Sequence, residues 1–220
     1  MAGAEQGRRL SRREREQLAH KQEILEAAER VFARHGFHGA TMEQIAREAD
    51  FAVGTLYNFF KSKEDLYHAV VGDIFKRAEK AFRNEVLTKE DPRAAIEALV
   101  DLRLRFFRSH RAFARVVFET VHVGRLGPRL WLPREHLAGY DRAMHELAGV
   151  LEQGIEQGVF VEAEPFALAL VVHGALNAFI AHWVQKADEE PTQPRVEDFR
   201  RSLMACLLAN APSEGSENED

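Results

Sequence analysis

The sequence predicts an all-α protein, a small amino-terminal helical module followed by a larger helical bundle. Three observations lead there. Ala, Leu, Glu and Arg dominate long stretches, and 14 Gly with 7 Pro in 220 residues are too few for a turn-rich β fold. Val, Ile and Thr rarely alternate with polar residues as a half-buried strand requires. Capping residues stand directly ahead of apolar residues that recur at helical spacing. With 45% hydrophobic residues, the chain has enough apolar surface to fill a core.

Ser11-Arg12-Arg13-Glu14 is a capping box, so the first helix begins near Arg12. Leu18, Leu25, Ala28 and Phe32, with Ile24 and Val31 beside them, mark its apolar face, and Gly36 is expected to stop it. A second box, Thr41-Met42-Glu43-Gln44, opens a short helix whose Met42, Ile45, Ala46 and Ala49 share one face and which ends at Ala49. Asp50, Phe51 and Ala52 form a turn, and another short helix runs from Val53 to about Phe59. Ser62 caps a fourth helix, with Glu64 and Asp65 in its electropositive first turn, which extends to about Leu87. Asp91-Pro92 starts the next, with proline where a missing N–H costs nothing. Further helices are expected over 92–109, 111–123, 133–157, 165–187 and 195–210, with a loop at 124–132. The chain therefore divides into a disordered basic arm at 1–10, a DNA-binding-sized module at 11–67, a larger domain at 68–212 and an acidic disordered tail at 213–220.

A net charge of −5 conceals a polarised distribution. Residues 1–67 carry 11 basic and 11 acidic side chains, which leaves 19 basic against 24 acidic in the remainder. Arg8, Arg9, Arg12, Arg13 and Arg15 face only Glu14, so the amino end is locally basic. This run reads as a solvated charge cluster or as an arm that reaches phosphates or a minor groove. Cys206 is the single cysteine and forms no internal disulfide, and residues 1–10 hold charges where a secretory signal needs an apolar run. A cytoplasmic location is expected. Residues 165–185 lack charge and are long enough to span a bilayer, but they contain His173, Asn177 and His182. Gly174, Ala178 and Ala181 form a stripe of small residues there, so a buried helix at a homodimer interface, and no membrane partner, is the reading preferred.

Two short capped helices joined by a three-residue turn and preceded by a longer helix form a helix-turn-helix pattern. The stretch Val53-Gly54-Thr55-Leu56-Tyr57-Asn58-Phe59-Phe60-Lys61-Ser62-Lys63-Glu64-Asp65-Leu66 closely resembles the signature of the TetR (tetracycline-repressor-like) family of transcriptional regulators, and Thr41 to Ala49 resembles that family's second helix. The resemblance covers about Ile24 to Val71 and implies a double-stranded DNA operator as partner. Gly54 lacks a side chain that would hold a helix away from a groove, and Thr55 offers a hydroxyl and a methyl. Tyr57 presents a hydroxyl to phosphate, and Lys63 is expected to join its charge to free N–H groups of the fourth helix. Val53, Thr55 and Asn58 are the expected base readers, with Thr41 a helix cap that also faces DNA. Leu56, Phe59 and Phe60 are expected in the core. Asp50, Phe51 and Ala52 stand where the family usually has glycine, valine and serine. Asp tolerates the left-handed conformation, whereas Ala52 forfeits a helix cap.

Residues 92–160 concentrate large side chains that suit a helical core. The family resemblance adds an effector pocket there, with Phe106, Phe118, Trp131, Tyr140 and Met144 as apolar walls and Glu119 and His122 as polar groups for a small apolar or amphipathic effector. The resulting expectation is a homodimeric, ligand-responsive regulator, most often a repressor in the family, with no cofactor, no metal and no catalytic residues. A helical-bundle metalloenzyme built on the i, i+3 pair Glu119 and His122 is the rival, but it needs a second such pair, and Asp65 with His68 is the nearest imitation. A helical protein-binding adaptor is the remaining alternative.

Overall fold

The computed structural model describes residues 11–120, 134–184 and 191–209, with the side chains of all of these except 115–120 and 134–136. Among the described residues there are eight helices: α1 (Arg12–Gly39), α2 (Met42–Glu48), α3 (Val53–Phe59), α4 (Lys63–Glu85), α5 (Pro92–Thr120), α6 (Arg134–Glu156), α7 (Pro165–Val184) and α8 (Gln193–Leu207). The one extended pairing among them is an antiparallel bridge between Phe160 and Leu208. The chain forms two compact units, the first ending at Asp73 and the second starting at Ile74, so the division falls within α4. The border read from the sequence, at 67/68, lies in the same helix. The expected arm at 1–10, the loop at 124–132 and the tail at 213–220 lie outside the described residues.

Capping chemistry sets the helix starts. Ser11 Oγ accepts from the Glu14 N–H at 3.2 Å while the Glu14 carboxylate accepts from the Ser11 N–H at 2.7 Å. Thr41 and Gln44 repeat this exchange at 3.2 and 2.9 Å. Ser62 Oγ accepts from the Asp65 N–H, and the Asp91 carboxylate accepts from the N–H groups of Arg93 and Ala94. Each bond satisfies a donor that the first helical turn cannot pair internally.

Two breaks in helical geometry stand where they are expected, and one expectation needs correction. Gly36 interrupts α1 as expected: at φ +69 and ψ 171 it leaves the helical region, and a short further turn, closed by the Ala40 N–H on the Gly36 carbonyl, carries the element to Gly39. The helices expected over 92–109 and 111–123 meet at His110, whose φ −121 and ψ 17 are not helical, so α5 is two helical runs joined at a kink, the second described to Thr120. No Gly or Pro stands there, and His110 turns its Nδ1 to the Phe106 carbonyl at 2.9 Å. Leu18 is 54% exposed and does not belong to the apolar face of α1, which begins at Ile24 and Leu25.

In the first unit, Ile24, Ala27, Ala28, Val31 and Phe32 of α1 are buried together with Ile45, Leu56 and Leu66 from α2, α3 and α4. The second unit has its own core, built from Phe82 and Val86 near the end of α4 and from α5 to α8, with Ile96, Val100, Leu151, Val172, Leu176 and Leu207 fully buried. Leu168, Ala169, Val172, Leu176, Trp183 and Val184 give α7 a buried face, which accounts for its apolar composition. Gly154 is required by close approach, because a Cβ there would lie 2.2 Å from the Phe160 ring that folds back over α6. The chain returns through Gly158 at φ +69, and the Gly154 carbonyl accepts from the N–H groups of Val159 and Phe160.

A polar network lies among α5, α6 and α7. Arg103 Nη2 donates to Asn177 Oδ1 at 2.5 Å, Asn177 Nδ2 lies 2.7 Å from His173 Nε2, and the Tyr140 ring meets the His173 ring edge-on at 5.4 Å. Burial, and then the nearby Arg103 charge, push the His173 pKa down to about 4. Because the unfolded chain binds a proton at an ordinary histidine pKa and the folded chain does not, stability falls as pH drops from about 6.5 toward 4. His173→Gln should flatten this part of a melting-temperature profile recorded between pH 7 and 4. Identical profiles for the variant and the wild type would remove His173 as the titrating group.

Candidate nucleic-acid interface

α3 has only seven residues and no side-chain hydrogen bond at its N-cap, Ala52. A helix this short is not stable by itself. It is held by Leu56, fully buried, and by Phe60 just past its end at 2% exposure, over which the Lys21 ammonium of α1 sits at 5.7 Å. The turn before it works as the residue types allow. Asp50 takes φ +59, the Phe51 N–H closes onto the Ala46 carbonyl at 2.9 Å, and the Thr55 N–H bonds to the Ala52 carbonyl at 2.8 Å. His20 of α1 meets the Phe51 ring edge-on at 5.1 Å.

With Leu56 turned inward, helical geometry sends the flanking positions outward. Gly54, Tyr57 and Asn58 are exposed, Tyr57 by 51%, and Val53 and Thr55 are half-buried. Phe59 is half-buried rather than a core residue, since it falls between the inward and outward faces. Thr41 is exposed while its hydroxyl caps α2. The structure thus brings Val53, Gly54, Thr55, Tyr57 and Asn58 onto one short helix whose outward side has no partner among the described residues.

Lys63 is placed differently from the sequence expectation. Its ammonium donates to the Ala40 carbonyl at 2.8 Å and lies 3.5 Å from the His38 carbonyl and 4.8 Å from the Phe37 ring centre, so it closes the junction between α1 and α2. The carbonyls left free by the bend at Gly36 attract it more directly than the N–H groups of its own helix. A similar tie joins α1 to α2 farther along, where Glu48 accepts from Arg30 at 2.8 Å and from Arg34. Those hydrogen bonds hold the Glu48 carboxyl below its ordinary pKa. Arg47 and Lys61, both exposed beside this surface, were not among the residues singled out from the sequence.

Of the residues expected around an effector, Phe106 is half-buried and stacks on His110 at 4.3 Å, Tyr140 is half-buried against His173, and Met144 is a core residue at 3% exposure. The side chains of Phe118 and Glu119, and the whole of His122 and Trp131, lie outside the described residues. Arg103 joins Tyr140 in the second unit and was missed. Its spacing from Leu99, Val100, Phe106 and Phe107 placed it on the apolar face of α5, a signal available in the sequence. On α7, Gly174 and Ala178 are exposed and Ala181 is half-buried, next to exposed Leu170 and Val171.

Residues 24–70 match the model of the tetR family of bacterial regulatory proteins. The transcriptional regulator RutR of Escherichia coli K12 is 31% identical over 187 residues, which span 84% of this chain and 71% of RutR. The chain belongs to the tetR family. A second tetR-like relative, the fatty acid metabolism regulator of Bacillus subtilis, is 27% identical over 74% of this chain and 82% of its own. The crystal structure of the Bacillus subtilis regulator FadR in complex with stearoyl-CoA superposes with a TM-score of 0.67 at 21% identity, covering 85% of this chain and 97% of that one. As a tetR-family protein the chain is a DNA-binding transcriptional regulator, and its all-α architecture of a helix-turn-helix followed by a helical bundle is that of the family.

Two substitutions separate folding from DNA contact. Gly54 has open space around the position of a Cβ, so Gly54→Ala should keep or raise stability, by up to about 1 kcal/mol, while weakening DNA binding about tenfold or more. Equal affinity for both forms would show that α3 does not approach DNA closely. Lys63→Ala, in contrast, should lower the stability of the first unit by about 1 kcal/mol through the lost bond to Ala40, as read by chemical denaturation.

Proposed function

We propose that the protein is a homodimeric, ligand-responsive repressor that leaves its operator when a small apolar or amphipathic effector binds the second unit. The observation that carries the DNA part is the outward face of α3, where exposed Tyr57, Gly54 and Asn58 flank an anchored Leu56. Thr41, Tyr57 and Lys63 act as positioning contacts on phosphates, Lys63 through the one proton left over from its carbonyl bonds, and Val53, Thr55 and Asn58 read base edges. In a dimer, two such helices enter successive major grooves about 34 Å apart. The exposed small residues Gly174 and Ala178, with Ala181 beside them, support a pairing of α7 and α8 with their copies, since small side chains let helices approach closely.

An effector acts by binding the two states of the dimer unequally, and its differential affinity sets the loss of operator affinity. The FadR relative solved with stearoyl-CoA supports an amphipathic molecule in this role. DNA selected from a random pool by the purified protein identifies the operator. On that site, Tyr57→Phe should weaken binding and reduce the salt slope by about one, the mark of a lost phosphate contact. If selection yields no enriched sequence and binding is independent of Tyr57, the operator reading is lost. Sedimentation of wild type and Ala178→Phe tests the dimer: the wild type should be dimeric at micromolar concentration and the variant monomeric or aggregated. A monomeric wild type would remove the α7 and α8 interface.

A further inference from the structure

Among the described residues, Arg103 is a cation that the second unit leaves without a counter-charge. Other arginines of this unit have carboxylates close by: Arg93 bonds Glu97 at 3.2 Å, Arg105 bonds Glu85, and Arg200 bonds Asp101 at 2.5 Å. Among the described residues Arg103 bonds to the neutral Asn177 alone. As a residue it is half-buried, yet its Nε is closed off from solvent and has no hydrogen-bond partner. Guanidinium stays protonated in proteins, so burial here retains a charge with unspent donors. Burial pulls its pKa down, and among the described residues Tyr140 opposes this.

The hydrogen bonds fix what the cluster offers. Arginine can only donate, so Asn177 must turn its oxygen to Arg103 and its NH2 to His173 Nε2. His173 therefore carries its proton on Nδ1. Burial raises the Tyr140 pKa, followed by the influence of Asp141, which keeps its hydroxyl protonated. The unspent groups are then Arg103 Nε–H, His173 Nδ1–H and the Tyr140 hydroxyl, contributed by α5, α7 and α6. All three can donate, and Arg103 and His173 offer no acceptor beside them. Tyr140 packs against the apolar core that holds Val100 and Leu102 of α5, Met144 of α6, and Val172 and Leu176 of α7. One turn beyond Arg103, Phe107 packs with Trp183.

We propose that Arg103, with Tyr140 and His173, seats the anionic group of an amphipathic effector, a carboxylate or a phosphate. The side of the guanidinium that carries Nε forms a fork matching two oxygens of such a group. The apolar surroundings require the rest of the molecule to be hydrocarbon-rich, because a bare inorganic anion gains nothing from them. The inference rests on the reading that the second unit binds an effector, and it names that effector's class.

Calorimetric titration of the full-length protein with laurate, dodecyl phosphate and dodecanol, below their aggregation concentrations, tests it. At least one anionic probe should bind about tenfold or more tightly than dodecanol, and the ranking of laurate against dodecyl phosphate identifies the group. Arg103→Met should abolish the preference, and without any probe it should melt at or above the wild-type temperature, because an unpaired buried charge has been removed. A purely structural Arg103 would instead give a lower melting temperature. Arg103→Lys keeps charge but loses the fork, so it should retain only part of the preference, and this comparison stands if the methionine variant does not fold. Failure of both anionic probes to bind, equal affinity for dodecanol, or an undiminished preference in the variants overturns the proposal. DNA binding of the wild type, measured separately, tests the regulator reading: its absence would count against that reading and leave the anion preference as found.

Discussion

The burial of Leu56 is the constraint on which the DNA-facing half depends. A seven-residue helix without a side-chain cap has too few internal hydrogen bonds to offset the entropy of ordering it. Its position must come from packing, and Leu56 and Phe60 are the residues that supply it. Once Leu56 is fixed inward, the 3.6-residue repeat fixes the direction of Gly54, Tyr57 and Asn58 as well. The same constraint explains the ties around it. Lys21 over Phe60, His20 against Phe51, and Glu48 between Arg30 and Arg34 all bind α1 to the elements that carry or support α3.

Much of this was legible because the first unit announces itself locally. Ser11, Thr41 and Ser62 each mark a helix start there by a contact within three residues, as Asp91 does in the second unit, and such contacts can be read from spacing alone. The left-handed Asp50 was legible for the same reason. What failed was non-local. Lys63 reaches across more than twenty residues to the Ala40 carbonyl, and no short-range rule says that a bend at Gly36 leaves carbonyls for it. Leu18 continues an apolar period past the point where other helices cover it.

The second unit was legible as a bundle and much less so as a site. Aromatic residues were the visible feature of residues 92–160, but Met144 proves to be core and Phe106 is occupied with His110. Arg103 passed unnoticed because arginine in a helix usually snorkels to water. Asn177 and His173 were visible as polar exceptions in an apolar helix, and the meaning of the exception emerged only when α5 and α7 were placed side by side. A buried polar residue is informative in proportion to what it fails to pair with.

Ala52 has a further consequence, for motion. Every other helix start in the first unit holds a side-chain oxygen over its free N–H groups, and that of α3 does not. Local opening therefore requires least at α3, where only Leu56 and Phe60 resist it. Its amides should lead those of α1, α2 and α4 in hydrogen exchange, reporting a segment that can resettle by fractions of an ångström while the surrounding module stays folded. Compliance of this kind lets one surface adjust to small differences in groove shape from one DNA sequence to the next, at the expense of ordering entropy when it finally locks.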